Sequence, residues 1–268
     1  MDNDGAFCPI AEKYVAPVAG AMSGTALRLR RLAPKGTWLM VPLDHGVSMG
    51  VVPGLERPAG MLEAAARGGA TCVTLHRGLV PLAARHAGDL GVLLHLSAST
   101  MHAPDPDDKR LVASVADAVR MGCDGVSIHL NLGSATEADQ LEEAGEVATE
   151  CQEWGMPLVV MAYPRGPKVK DPFDPVLVAH AARLAAELGA DAVKVPYTGS
   201  AATFRPVVEG CGIPVLVAGG PARADLGGLL ADVRDARAAG AAGVSVGRNA
   251  FQNAQPREAI AALARVLA

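Results

Sequence analysis

An alternation constrains this chain more than any other feature. Short apolar, β-branched runs recur along it, each separated from the next by a stretch whose apolar side chains carry helical spacing. The runs are Thr37–Leu43, Thr71–Leu75, Val92–Leu96, Gly125–Leu130, Leu158–Ala162, Ala192–Val195, Val215–Ala218 and Gly243–Val246. Helical periodicity is clearest in Asp107–Met121, Glu137–Trp154, Pro175–Leu188, Asp225–Ala239 and Pro256–Leu267. Strands that alternate with helices run parallel, joined by right-handed crossovers, and runs this apolar are buried on both faces. An open doubly wound sheet and a closed barrel both satisfy those conditions. Eight units in 268 residues favour the barrel, so the predicted fold is α/β, a single (β/α)₈ barrel. Gly69, Gly122, Gly155, Gly189, Gly212 and Gly240 each fall between a helical stretch and the next run, where a left-handed residue ends a helix.

The barrel is expected to fill residues 25–268, opening with a basic helix at Thr25–Leu32 that carries Arg28, Arg30 and Arg31. Residues 1–24 are rich in small side chains without a strand pattern and are predicted to form a short N-terminal arm or extra helix. The Pro-rich stretch from Pro164 to Pro175, after the fifth run, is the largest predicted loop.

Composition excludes several classes of function. Half of the residues are hydrophobic but only 3% are aromatic, so the core must be built from Val, Leu, Ile and Ala. A formal net charge of −4 supplies no broad basic field, and no nucleic-acid partner is expected. Cys8, Cys72, Cys123, Cys151 and Cys211 are scattered and odd in number, the pattern of small buried hydrophobes in a reducing compartment rather than of disulfides or a metal site. The N-terminus does not read as a secretory leader, and no apolar run is long enough to span a bilayer. The expectation is a cytoplasmic protein with no membrane partner.

In an α/β barrel the chemistry sits where strands end and βα loops begin. The first run ends at Asp44-His45-Gly46, the fifth leads into Tyr163-Pro164-Arg165-Gly166, and the sixth contains Lys194. The seventh ends at Gly219-Gly220 and the eighth at Gly247-Arg248. Lys194 interrupts the apolar segment Ala-Asp-Ala-Val-Lys-Val-Pro, where a buried ammonium must be paired or partly neutralised. Two readings follow: a salt-bridged lysine tying strands together, or a desolvated amine acting as a nucleophile toward a carbonyl. Asp44 and His45 form either a polar rim or a proton-handling pair facing Lys194, and Tyr163 offers a phenol or simple packing. Glycines after the last two strands suit a phosphate held by backbone N–H groups, and Arg248 can add a charge-assisted contact. His45, His76, His95 and His129 lie near strand ends and could imitate a zinc site, which would instead make a metal-dependent enzyme, but imidazoles within strands more often hydrogen-bond inside the barrel, and that is the favoured reading.

These residues lie within motifs that together resemble a known family. They include Val-Pro-Leu-Asp-His-Gly-Val-Ser at 41–48, Leu-His-Arg-Gly at 75–78, Ser-Ile-His-Leu-Asn-Leu-Gly-Ser at 127–134 and Trp-Gly-Met-Pro-Leu at 154–158. Tyr-Pro-Arg-Gly at 163–166, Val-Ala-His-Ala-Ala-Arg-Leu at 178–184, Lys194, Tyr-Thr-Gly at 197–199, Ala-Gly-Gly-Pro at 218–221 and Val-Gly-Arg-Asn at 246–249 complete the set. From Leu27 onward the chain resembles the archaeal-type class I aldolases, which group fructose-bisphosphate aldolases with 2-amino-3,7-dideoxy-D-threo-hept-6-ulosonate synthases. The resemblance implies that Lys194 forms the Schiff base, that Tyr163 is the general acid/base, and that Asp44 and His45 are its partners. It also implies phosphate binding by Gly219, Gly220, Gly247 and Arg248, with Arg165 on the substrate, and needs neither metal nor organic cofactor.

Val47, Ser48 and Met49, and the lack of a tryptophan just before Tyr163, are similar to the synthase branch rather than to the fructose-bisphosphate branch. That branch joins a ketose-phosphate-derived donor to the aldehyde L-aspartate 4-semialdehyde as acceptor. Lys194-Val195-Pro196-Tyr197 and Ala98-Ser99 depart from the synthase pattern, which keeps open relatives that condense dihydroxyacetone phosphate with the same aldehyde. A homo-oligomer is expected from the resemblance. A catalytically silent, phosphosugar-binding barrel is the non-enzymatic alternative, and the buried Lys194 argues against it.

Overall fold

The computed structural model of the chain describes residues 23–268, so the arm expected at 1–24 lies outside the described residues up to position 22. Helix α1 spans Ser23–Leu32, as the basic segment requires. Eight parallel strands then close into a barrel: β1 Trp38–Pro42, β2 Cys72–Leu75, β3 Gly91–His95, β6 Gly125–Leu132, β7 Leu158–Pro164, β8 Ala192–Val195, β9 Val215–Ala218 and β10 Gly243–Ser245. Going round, the order is β1-β2-β3-β6-β7-β8-β9-β10, and β10 returns to β1 in the register Trp38 to Gly243. Gly243 has to be a glycine there, because any side chain would collide with the Trp38 carbonyl across the closing seam. Two further strands, β4 (Ser97–Ala98) and β5 (Arg110–Leu111), form a small antiparallel ribbon after β3.

The strands alternate their side chains between two cores. Trp38, Met40, Cys72, Leu93, Val159, Ala192 and Leu216 fill the lower interior, while Val41, Val73, Leu94, Val126, Val160, Val193, Val217 and Val244 join the larger cluster under the helices. That outer ring is α3 (Pro58–Gly68), α4 (Val80–His86), α5 (Val115–Arg120), α6 (Glu137–Trp154), α7 (Pro175–Glu187), α8 (Ala201–Cys211), α9 (Leu226–Ala238) and α11 (Pro256–Leu267). Short helices α2 (His45–Met49) and α10 (Arg248–Phe251) begin immediately beyond β1 and β10. All six glycines marked in the sequence have positive φ, between +58° at Gly155 and +103° at Gly240, as left-handed helix ends require.

Helix α1 closes the lower end. Leu32 is fully buried in the inner core, and Gly91 and Gly125 must be small because a Cβ at either would approach the Leu32 side chain to 2.9 and 3.0 Å. Arg28 donates to the Gly155 carbonyl at 2.9 Å and Arg31 pairs with Asp124 at 3.0 Å, so the basic face of α1 is used structurally. A cavity of about 420 Å³ lined by Arg31, Leu90 and Asp124 lies at this end, remote from the strand C-termini.

One expected element is shorter than its periodicity suggested. The helix foreseen at Asp107–Met121 starts only at Val115, because Ser114 accepts the Asp117 N–H while the Asp117 carboxylate accepts the Ser114 N–H in a capping box. Upstream, Val112 donates to the Leu96 carbonyl at 2.8 Å, drawing Arg110–Leu111 into the ribbon. The Asp107 carbonyl accepts from Asn131 Nδ2 and Gln140 Nε2, which pins the preceding turn to the end of β6. Among the described residues no helix is long and apolar enough to cross a membrane.

Candidate active site

Period-two alternation carries polar groups onto the upper interior. Two residues beyond Leu93, Ala192 and Val159 on their strands stand His95, Lys194 and Met161, and Tyr163 follows Met161 by the same step. Lys194 pairs in register with Met161 on β7 and Leu216 on β9. It is only 7% exposed, and no carboxylate lies within 4.0 Å of its ammonium among the described residues. The alternative of a salt-bridged strand lysine is therefore not what the fold builds.

Asp44, next after Leu43 beyond β1, is a buried carboxyl on which the Lys194 charge acts. Its Oδ1 lies 3.3 Å from His45 Nδ1 and its Oδ2 3.9 Å from His95 Nε2. The first contact is a close approach rather than a well-aligned hydrogen bond, and it leaves His45 Nδ1 without a hydrogen-bond partner. Burial pushes the Asp44 carboxyl up, but His45, His95 and Lys194 outweigh it and hold the group well below the usual carboxylate range. Asp44 is consequently an anion at neutral pH, placed to take or return a proton. His45 turns the other way: its ring meets the edge of Phe251 with centroids 5.0 Å apart, and Gly247 leaves it room, since a Cβ there would come within 2.7 Å of His45 Cε1.

The strand-end histidines form a chain rather than a metal cage. His95 Nδ1 is 2.8 Å from Ser127 Oγ, and His95 Nε2 is 3.1 Å from His129 Nδ1. Burial lowers the His95 pKa to about 4 and that of His129 well below its ordinary value, so both rings are neutral at physiological pH. His76 packs edge-on against His95 at 5.2 Å. His129 stacks on Tyr163 at 5.7 Å and 26°, and the Arg165 guanidinium covers the same tyrosine at 4.5 Å from its centroid. The phenol ring is thus packed by both an imidazole and a cation, one step above the Met161 level that pairs with Lys194.

On the other side of Lys194, the loops after β9 and β10 are joined. Gly219 donates from its backbone to the Ser245 carbonyl at 2.9 Å, and Gly220 adopts φ +70°. Asn249, in α10 and 5% exposed, donates to the Gly219 and Pro221 carbonyls at 2.9 and 2.8 Å and accepts from the Arg223 N–H at 2.9 Å. Gly247 opens α10, and Arg248, half-buried, makes no ion pair among the described residues. Its charge therefore remains available to an anionic ligand.

The structure brings Lys194, Asp44, His45, Tyr163, Arg165, Gly219, Gly220, Gly247 and Arg248 to one end of the barrel, as the sequence predicted. Sequence reasoning missed Asn249, although it stood in the Val-Gly-Arg-Asn motif, whereas the hydrogen bonds of His95 to Ser127 and His129 are those expected of imidazoles bonded inside the barrel. It also missed Lys109, whose segment read as helix. A buried amine whose charge acts on an ionised carboxylate, at the same barrel end as a phenol packed by His129 and Arg165, can form an imine with a ketone and move protons around it.

Such an arrangement on a (β/α)₈ barrel suits aldol chemistry, and comparison with known proteins identifies the family. Residues 38–253 match the DeoC/LacD family aldolase model, and the chain belongs to that family. It is 43% identical to 2-amino-4,5-dihydroxy-6-oxo-7-(phosphonooxy)heptanoate synthase of Streptomyces griseus over 86% of this chain and 85% of that one. It is 41% identical to 2-amino-3,7-dideoxy-D-threo-hept-6-ulosonate synthase of Halobacterium salinarum, covering 91% and 92%. An archaeal fructose-1,6-bisphosphate aldolase, solved with its catalytic lysine bound to the carbinolamine intermediate, superimposes with a TM-score of 0.85 at 31% identity over 91% of this chain and 99% of the other. The chain is an aldolase of the class I, Schiff-base type.

Proposed function

We propose that Lys194 is the Schiff-base amine, and that the enzyme joins a three-carbon unit from a phosphorylated ketose to L-aspartate semialdehyde. One observation carries the first part: Lys194 is buried, unpaired by any carboxylate among the described residues, and faces the ionised Asp44. In the proposed cycle Lys194 Nζ adds to the donor ketone, and loss of water gives a protonated imine. The imine draws electrons from the adjacent C–C bond, releasing an aldehyde fragment whose hydroxyl proton passes to a base, or from the adjacent C–H bond, releasing that proton to a base, and leaves an enamine. The enamine carbon attacks the aldehyde, and water then adds to the imine and releases product and free amine. Asp44 and Tyr163 move the protons that these steps require, and His45 supports Asp44 from the side of α10. Such proton transfers typically contribute about 10²–10⁴-fold each. The joined loops at Gly219, Gly220 and Gly247, with Arg248, hold the donor phosphate away from the breaking bond.

The acceptor assignment rests on Val47-Ser48-Met49 and on the Halobacterium relative. A second reading, in which the donor is dihydroxyacetone phosphate and the phosphate stays in the product, draws on the Streptomyces relative and on Val195-Pro196 beside Lys194. Both readings fit a cytoplasmic homo-oligomer. Incubating purified enzyme with the semialdehyde and either dihydroxyacetone phosphate or a ketose phosphate whose far three-carbon end carries no phosphate, with the product read by mass for retained phosphate, separates them. Faster turnover of glyceraldehyde phosphate than of the semialdehyde would contradict both.

A further inference from the structure

Lys109 is a second buried lysine at the same end of the barrel, and nothing in the chemistry above uses it. It follows the turn between β4 and β5, is 8% exposed, and has no carboxylate within 4.0 Å among the described residues. Its ammonium carries three donors, of which one meets Ser99 Oγ; no other hydrogen-bond partner is present among the described residues. Ser99 in turn donates to the Pro106 carbonyl at 2.6 Å. Next to Lys109 stands Arg165, close enough to disfavour its charge further beyond the effect of burial, and Arg165 Nη1 lies 3.4 Å from Asp107 Oδ1. Arg165 is paired with Asp107, while Lys109, which also feels the more distant charges of Asp44 and Asp105, is the cation of this corner without an ion pair among the described residues.

The barrel order fixes where that corner lies. Lys109 belongs to the connection between β3 and β6, and Arg165 follows β7. Lys194 stands on β8, and the glycine loops follow β9 and β10. A donor bonded to Lys194 with its phosphate in the glycine loops leaves the β3 to β7 side for the acceptor. The charges there match a zwitterion. Lys109 and Arg165 suit a carboxylate, and Asp107 suits an ammonium. A phosphate dianion would instead sit beside Asp107 with only part of its charge met.

The geometry points to Lys109, with Arg165, as the subsite for the α-carboxylate of an amino-acid aldehyde acceptor. This rests on the acceptor reading above and deepens it, making Lys109 a residue that selects the acceptor rather than one that takes part in imine chemistry.

The test is steady-state kinetics of Lys109→Gln with dihydroxyacetone phosphate as donor and three acceptors: L-aspartate semialdehyde, succinate semialdehyde, which keeps the carboxylate but lacks the ammonium, and propanal, which has neither. Loss of a charge-assisted hydrogen bond should raise KM for both semialdehydes by about 10- to 100-fold while changing KM for propanal and for the donor by less than about threefold. Lys109→Arg should restore part of the loss. Equal losses on all three acceptors, or none, would overturn the subsite and leave Lys109 as a hairpin brace through Ser99. Wild-type preference for glyceraldehyde phosphate over the semialdehyde would overturn the acceptor reading itself, whatever the variant does.

Discussion

The carboxamide of Asn249 donates to the Gly219 carbonyl at 2.9 Å, and through that bond the loop after β10 sets the position of the loop after β9. Asn249 also holds Pro221 and Arg223, so its removal leaves two carbonyls and one N–H without their partner. Asn249→Ala should cost about 1–3 kcal/mol of stability, and it should weaken donor binding as the loops lose their common geometry. Denaturant unfolding together with KM for dihydroxyacetone phosphate checks both. A variant with unchanged KM would mean that the loops are positioned without this strap.

Arg248 offers charge without making a protein ion pair among the described residues. Since its expected contact is with a phosphate remote from the reacting carbons, Arg248→Ala should raise KM for the phosphorylated donor by about 10- to 100-fold with a much smaller change in kcat. Unchanged KM and kcat would remove Arg248 from the site.

Acid sensitivity follows from the histidine chain. Burial holds the His95 pKa at about 4 in the folded protein, against 6.5 for the free side chain. As pH falls below 6.5 the unfolded chain takes up the proton first, so this residue's contribution is complete above 6.5, declines between 6.5 and about 4, and levels off below. The change amounts to about 3 kcal/mol. His95→Gln should flatten the pH dependence of the urea midpoint across that window, with a residual slope from His76 and His129, whose values are depressed in the same direction. An identical slope in the variant would show that His95 is not held neutral.

An iminium replaces the Lewis acid of metal-dependent aldolases. Exhaustive dialysis against EDTA should therefore leave turnover intact. Activity lost on chelation and restored by zinc would shift the chemistry to His95, His129 and their neighbours.

Much of this architecture was legible because a closed parallel barrel repeats one rule. Buried strands read as β-branched runs, and the glycine ending each helix must be left-handed, so Gly69, Gly122, Gly155, Gly189, Gly212 and Gly240 marked the joints directly. The position of the candidate site residues was legible for the same reason, since strand ends face one mouth. What escaped lies between β3 and β6. Two-residue strands such as Ser97–Ala98 and Arg110–Leu111 carry no periodicity, and their pairing depends on contacts distant in sequence, such as Val112 to Leu96. The Ser114 to Asp117 capping box was readable, and it would have started α5 at Val115 and freed Lys109 from a supposed helix. Asn249 escaped because a carboxamide beside Arg248 reads as ordinary helix start, and its role comes from Gly219 and Pro221, which are adjacent only in the folded chain.

The central claim is the covalent role of Lys194. Borohydride reduction in the presence of dihydroxyacetone phosphate, read by intact and peptide mass spectrometry, tests it most directly. The account predicts irreversible inactivation with one reduced donor adduct per chain located on Lys194, and neither adduct nor turnover in Lys194→Met. An adduct on Lys109 or elsewhere, or full turnover by the Lys194→Met enzyme, would contradict it.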